Sequence, residues 1–116
     1  MGSKRKKFDD VYKRPFITDG YFIYAQNDYN IMALDCPDEM SEGLIREICA
    51  VLNGGTGHCI GVKSVNNEII TLENGHELRV RGWGYLTSHN IPPKIAAEMQ
   101  DEFAKWVAEQ LINDSK

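Results

Sequence analysis

Glu68-Ile69-Ile70-Thr71-Leu72-Glu73-Asn74-Gly75-His76-Glu77-Leu78-Arg79-Val80-Arg81-Gly82-Trp83-Gly84-Tyr85 is the stretch whose reading decides the fold. Asn-Gly is the preferred centre of a two-residue type I′ hairpin turn, because both positions need positive φ. The runs on either side, 68–73 and 76 to about 85, then read as antiparallel strands. Such a turn sets Thr71 opposite Leu78, Ile69 opposite Val80 and Glu68 opposite Arg81. Opposed residues share a face. Ile69, Thr71, Leu78 and Val80 are therefore expected to face the core. Glu68, Ile70, Leu72, Glu77, Arg79 and Arg81 are expected on the other side, a face half apolar and so in need of partial cover.

If the second strand continues to Tyr85, alternation places Arg79, Arg81, Trp83 and Tyr85 in one row, with Val80, Gly82 and Gly84 opposite. Gly82 and Gly84 would then let a helix lie close to the sheet. Two guanidiniums beside two large aromatics suit an anionic or aromatic ligand: arginine grips phosphate with two parallel hydrogen bonds, and Trp or Tyr stacks on a base. The competing reading is structural. Arg81 pairs with Glu68 across the hairpin, the aromatics cover the sheet, and a bulge at Gly82 would break the row.

Outward from this hairpin, Cys59-Ile60-Gly61-Val62-Lys63-Ser64 reads as a preceding strand. Before it, Pro37 opens a helical segment to about Asn53, with Asp38 and Glu39 at the positive end of its dipole. Its apolar stripe is Met40, Leu44, Ile48 and Leu52, broadened by Ile45, Cys49 and Val51. Asn53-Gly54-Gly55 ends it. Residues 21–26 and 29–34 read as two strands around an Asn27-Asp28 turn, with Phe16-Ile17-Thr18 leading in and a break at Asp19-Gly20. Tyr21, Phe22, Tyr24 and Tyr29 make this hairpin aromatic. That is cross-strand packing in the ordinary case and a stacking platform in the sharper one, with Tyr24 as its candidate. At the other end, Ile91-Pro92-Pro93 starts a helix to about Ile112, striped by Ile95, Ala96, Met99, Phe103, Trp106, Val107 and Leu111. The expected fold is α+β: an antiparallel sheet of about five strands with two helices on one face, in the order ββ-α-βββ-α.

The chain has 116 residues, 42% hydrophobic and 26% charged, enough for one domain with its own core. Residues 1–14 hold six basic groups against Asp9 and Asp10, a net +4; with −4 overall, residues 15–116 carry −8. The expected organisation is a basic flexible arm, 1–14, on a single acidic domain, 15–116. Lys4, Arg5, Lys6 and Lys7 would serve nucleic acid or an anionic partner; against that, a sequence-specific DNA-binding domain is usually basic in its folded part too. No apolar run approaches a membrane span, and no apolar segment follows the basic start as a secretory leader would require. With Cys36, Cys49 and Cys59 an odd set without framework spacing, the reading is a cytoplasmic protein with reduced thiols and no membrane contact.

No catalytic or metal set stands out, and no cofactor is expected. Gly54-Gly55-Thr56-Gly57 follows a helix and precedes a strand, the reverse of a phosphate loop, in which the glycines open a helix onto the anion. His58 and Cys59 are adjacent and would point to opposite faces of a strand, and neither Cys36, Cys49, His76 nor His89 forms a close ligand pair with them. The expectation is a binding protein rather than an enzyme, with Arg79, Arg81, Trp83, Tyr85 and Tyr24 as candidate ligand contacts.

In size, element order and its Arg/aromatic row, the chain across 21–107 resembles small phage-encoded anti-defence proteins of the anti-Thoeris sponge group. That resemblance is one of overall profile; no motif is carried over residue by residue. It implies a homo-oligomer that sequesters a cyclic nucleotide or other phosphorylated signal between subunits without cleaving it. Two other classes fit the same composition. A protein antagonist of the immunity or anti-CRISPR type would use its acidic helix faces, and a nucleic-acid accessory protein would use the basic arm.

Overall fold

The computed structural model describes residues 15–25, 33–55 and 60–115. Within them the chain is α+β: β1 (Phe16–Thr18), β2 (Phe22–Ala25), β3 (Ala33–Asp35), α1 (Glu42–Leu52), β4 (Val62–Asn66), β5 (Ile69–Leu72), β6 (Glu77–Arg81), α2 (Trp83–Ser88) and α3 (Pro93–Ser115). The six strands form one antiparallel sheet in the order β1-β2-β3-β6-β5-β4. Two three-stranded meanders thus meet at β3 and β6. Helix α1 packs on β1, α3 packs on β4, β5 and β6, and the two helices touch each other.

The sheet has one strand more than expected, and that strand is β1. The Asp19-Gly20 break is a hairpin turn. The Asp19 Oδ1 accepts the N–H groups of Tyr21 and Phe22 at 2.9 and 3.0 Å, and the Thr18 hydroxyl donates to the Phe22 carbonyl at 2.7 Å. Gly20 takes φ +97°, a value that suits glycine. The expected arm 1–14, the Asn27-Asp28 turn and residues 56–59, with His58 and Cys59, lie outside the described residues.

The register of the Asn74-Gly75 hairpin differs from expectation by one residue. Ile69 lies opposite Arg79, Ile70 opposite Leu78 and Thr71 opposite Glu77. The loop has three residues, closed by Leu72 N–H donating to His76 O at 2.8 Å and Gly75 N–H donating to Leu72 O at 2.9 Å. Gly75 has φ +94°, while Asn74 is absent from the positive-φ set, so a type I′ turn does not form. Instead, the Asn74 carboxamide accepts the His76 N–H at 2.9 Å, which suits a turn whose last residue alone is left-handed. A one-residue slip exchanges the faces of a strand. Ile70, Leu72, Leu78 and Val80 are the buried set, at 0–2% exposure, and Ile69 and Thr71 face the other way, half-buried.

Helix α1 starts at Glu42, five residues after the expected Pro37. Ser41 is its N-cap, its hydroxyl accepting the Leu44 N–H at 3.2 Å, and Pro37 to Met40 form a preceding turn. Its end follows expectation. Gly54, at φ +92°, donates to Val51 O and Gly55 donates to Ala50 O, the paired bonds of a Schellman cap. Helix α2 was not expected. Strand β6 stops at Arg81, and Asn90, at φ +69°, closes α2 with the same pair of bonds, Asn90 N–H to Thr87 O and Ile91 N–H to Leu86 O.

The core lies between one face of the sheet and the helices. Ile23, Leu34, Ile70, Leu72, Leu78 and Val80 from the sheet meet Ile45, Ile48 and Leu52 of α1 and Met99, Phe103, Val107 and Leu111 of α3. Each large apolar side chain removed from water contributes about 1.5–3 kcal/mol. Phe16, Phe103 and Trp106 cluster with ring centroids 5.7–6.3 Å apart, tying β1 to α3.

Candidate functional site

Strand pairing fixes which residues share the face of the sheet turned away from the helices. One row across it runs Ile17, Tyr24, Ala33, Arg81; the next runs Phe22, Asp35, Arg79, Ile69, Asn66. Arg79, Arg81 and Tyr24 therefore do share one face, with Tyr24 and Arg81 two strands apart, about 10 Å at the usual strand spacing. Trp83 and Tyr85 do not continue the row. Both belong to α2, because Gly82 caps a helix where alternation was expected to persist, and the direction of their side chains lies outside the described part of the structure. The inward placement of Gly82 and Gly84 on a strand fails for the same reason.

The partner expected for Arg81 is also corrected. Its Nε donates to Asp35 Oδ2 at 2.7 Å, across β6 and β3. Glu68, expected opposite it, lies beside Val80, whose N–H donates to the Glu68 carbonyl at 2.8 Å. Arg79 sits directly opposite Asp35, is exposed, and makes no ion pair or hydrogen bond with any described residue.

Asp35, Cys36, Pro37, Ile69, Glu77 and Arg79 line a shallow hollow of about 140 Å³ beside this guanidinium. Pockets that enclose a small molecule begin near roughly 300 Å³. The hollow also sets two carboxylates against one arginine, with Asp35 partly neutralised by Arg81. Burial, then the Asp35 carboxylate, pushes the Cys36 thiol up to about 12, and burial raises that of Cys49. Neither supplies a thiolate at neutral pH. Around the hollow the face is mixed: Ile17, Tyr24 and Ile69 half-buried and Phe22 39% exposed.

The sequence reading missed Asp35, Ile17 and Ile69 as members of this face. Their signal is the strand parity, which becomes readable only once the hairpin register is right. Among the described residues, no group of three or more His, Cys, Asp or Glu is placed to hold a metal ion, and no helix is long and apolar enough to cross a membrane. A scan against protein-family models, a search of curated proteins and a search of solved structures return no match.

Proposed function

We propose that the protein is a non-enzymatic binding protein whose open sheet face docks a protein partner, in the manner of an antagonist. The observation that carries this is the make-up of that face. It presents the exposed aromatic Phe22 and the half-buried Tyr24, and sets Arg79, without a described partner, beside Glu77. Aromatic and arginine side chains of this kind are the usual anchors of protein interfaces. The hollow, at about 140 Å³, is too small to enclose a nucleotide alone.

A second reading is sequestration of a nucleotide-derived signal, in keeping with an anti-defence role. It is favoured by Arg79, which offers a full guanidinium fork, and by Tyr24 on the same face as a stacking surface. It needs a second surface to complete the enclosure. A thermal-shift screen against nucleoside phosphates and cyclic nucleotides separates the two. The first reading predicts no stabilisation by any of them, together with capture of a defined protein on immobilised wild type that Arg79→Glu abolishes. A nucleotide well above its dissociation constant that raises stability by several kcal/mol, with loss in Arg79→Ala, would replace it with the second.

A further inference from the structure

β1 is the outermost of the described strands on its side of the sheet, and its outer edge has an unusual neighbour. The side-chain amide of Asn53, at the end of α1, takes the Phe16 N–H on Oδ1 at 2.6 Å and donates Nδ2 to the Phe16 carbonyl at 2.9 Å. A carboxamide is a peptide group without a chain, and here it occupies the place of one residue of a neighbouring strand. The hydrogen-bond parity of the sheet makes the rest of the edge clear. Cys36 N–H bonds to Tyr21 O at 3.1 Å, so in the β2/β3 pairing Ile23 points its main-chain groups at β3 and Tyr24 points its own at β1. Ile17 opposite Tyr24 is therefore the bonded residue of β1, and Phe16 and Thr18 turn theirs outward. Asn53 serves Phe16, whose carbonyl also accepts the Cys49 thiol at 3.3 Å; no described residue serves the main chain of Thr18. Beside this edge lies an open groove of about 370 Å³ between β1 and α1, lined by Phe16, Ile17, Thr18, Arg46, Cys49, Ala50 and Asn53.

We infer that the β1 edge is a strand-docking site, latched by Asn53, and that its occupant is β1 of a second copy of the chain. Outward groups at Phe16 and Thr18, with Ile17 between them, are self-complementary about a two-fold axis through Ile17. Antiparallel pairing sets Phe16 of each copy against Thr18 of the other, forming four main-chain hydrogen bonds once Asn53 swings aside. In that register the acidic Asp19 of one copy meets position 15 of the other, the first described residue after the basic pair Lys13-Arg14 in the sequence. The opposite edge, β4, carries the exposed Lys63 and an irregularity between Val62 and Ser64, both of which discourage strand addition.

Cysteine cross-linking of the full chain tests this. Ile17 faces its own copy as a non-hydrogen-bonded pair, whose Cβ separation of about 4.5–5.5 Å is within reach of a disulfide after small adjustment. Ile17→Cys, folded by circular dichroism, should give a covalent dimer under mild oxidation, at least about tenfold more than Ser64→Cys on β4 or the wild type. Wild-type mass by sedimentation should rise toward the dimer with concentration, and Asn53→Ala should bring that rise to lower concentration. A wild type that stays monomeric, or an Ile17→Cys chain that cross-links no more than Ser64→Cys, overturns the inference; a dimer without the Ile17 cross-link overturns it too, by locating the contact elsewhere.

Discussion

Arg81 and Asp35 meet at 2.7 Å across the two central strands, β6 and β3, while Arg79, directly opposite Asp35, is exposed and has no ion-pair partner among the described residues. The pair ties together the two meanders on the face turned away from the helices. With side chains 61% and 28% exposed, it should be a modest contributor. Asp35→Asn or Arg81→Ala should cost about 0.2–1 kcal/mol in urea unfolding, and the coupling in a double-mutant cycle should shrink in high salt. A coupling that ignores salt would contradict this.

The hairpin register makes a sharper prediction. Ile70 is fully buried against Leu78, whereas Ile69 lies half-buried opposite Arg79. Ile70→Ala should cost about 2–5 kcal/mol, and Ile69→Ala well under half of that. Equal costs, or the reverse order, would restore the two-residue turn at Asn74-Gly75.

Asn53 serves β1 in the monomer as well. Replacing it by Ala removes two hydrogen bonds from the main chain of Phe16. The expected loss is about 1–3 kcal/mol, with amide exchange at Phe16 accelerated before that of the central strands. Unchanged exchange at Phe16 would show that the carboxamide does not hold the edge.

Two groups give stability a pH dependence of opposite sign. Asp19 is depressed in the fold, so its contribution is present above its ordinary value of 3.8 and is lost as pH falls through the lower folded value. Asp19→Asn should flatten that acid limb. Cys36 is raised from 9.0 to about 12 by burial first and the Asp35 charge second, so stability falls as pH rises through this window. Cys36→Ala should flatten the alkaline limb, and the native Cys36 thiol should resist alkylation at pH 8. Limbs unchanged by either substitution would remove the assigned cause.

How much of this was legible beforehand follows from local chemistry. The α3 stripe from Ala96 to Leu111, the Gly54 cap and the α+β class were readable because periodicity and capping are short-range. The hairpin register was not. Asn74-Gly75 permits either a two-residue turn or a three-residue loop with only Gly75 left-handed, and burial of Ile70 and Leu72 against the helices selects the second. Helix α2 was hidden because Trp83 and Tyr85 have strand-like propensity, and its stop at Asn90 is a left-handed cap that glycine more often supplies. Of the candidate site, strand alternation correctly joined Arg79 to Arg81. It failed beyond Gly82, where the chain changes period.

The central claim is that the open sheet face is the binding surface. A photoreactive residue, p-benzoylphenylalanine, placed at position 22 on that face, where it keeps an aromatic ring, and separately at exposed position 109 on α3, tests it in cells that carry the gene. A discrete protein adduct from position 22 and none from 109 is the predicted result. Adducts from 109 alone, or none from 22 while the chain remains folded, would contradict it.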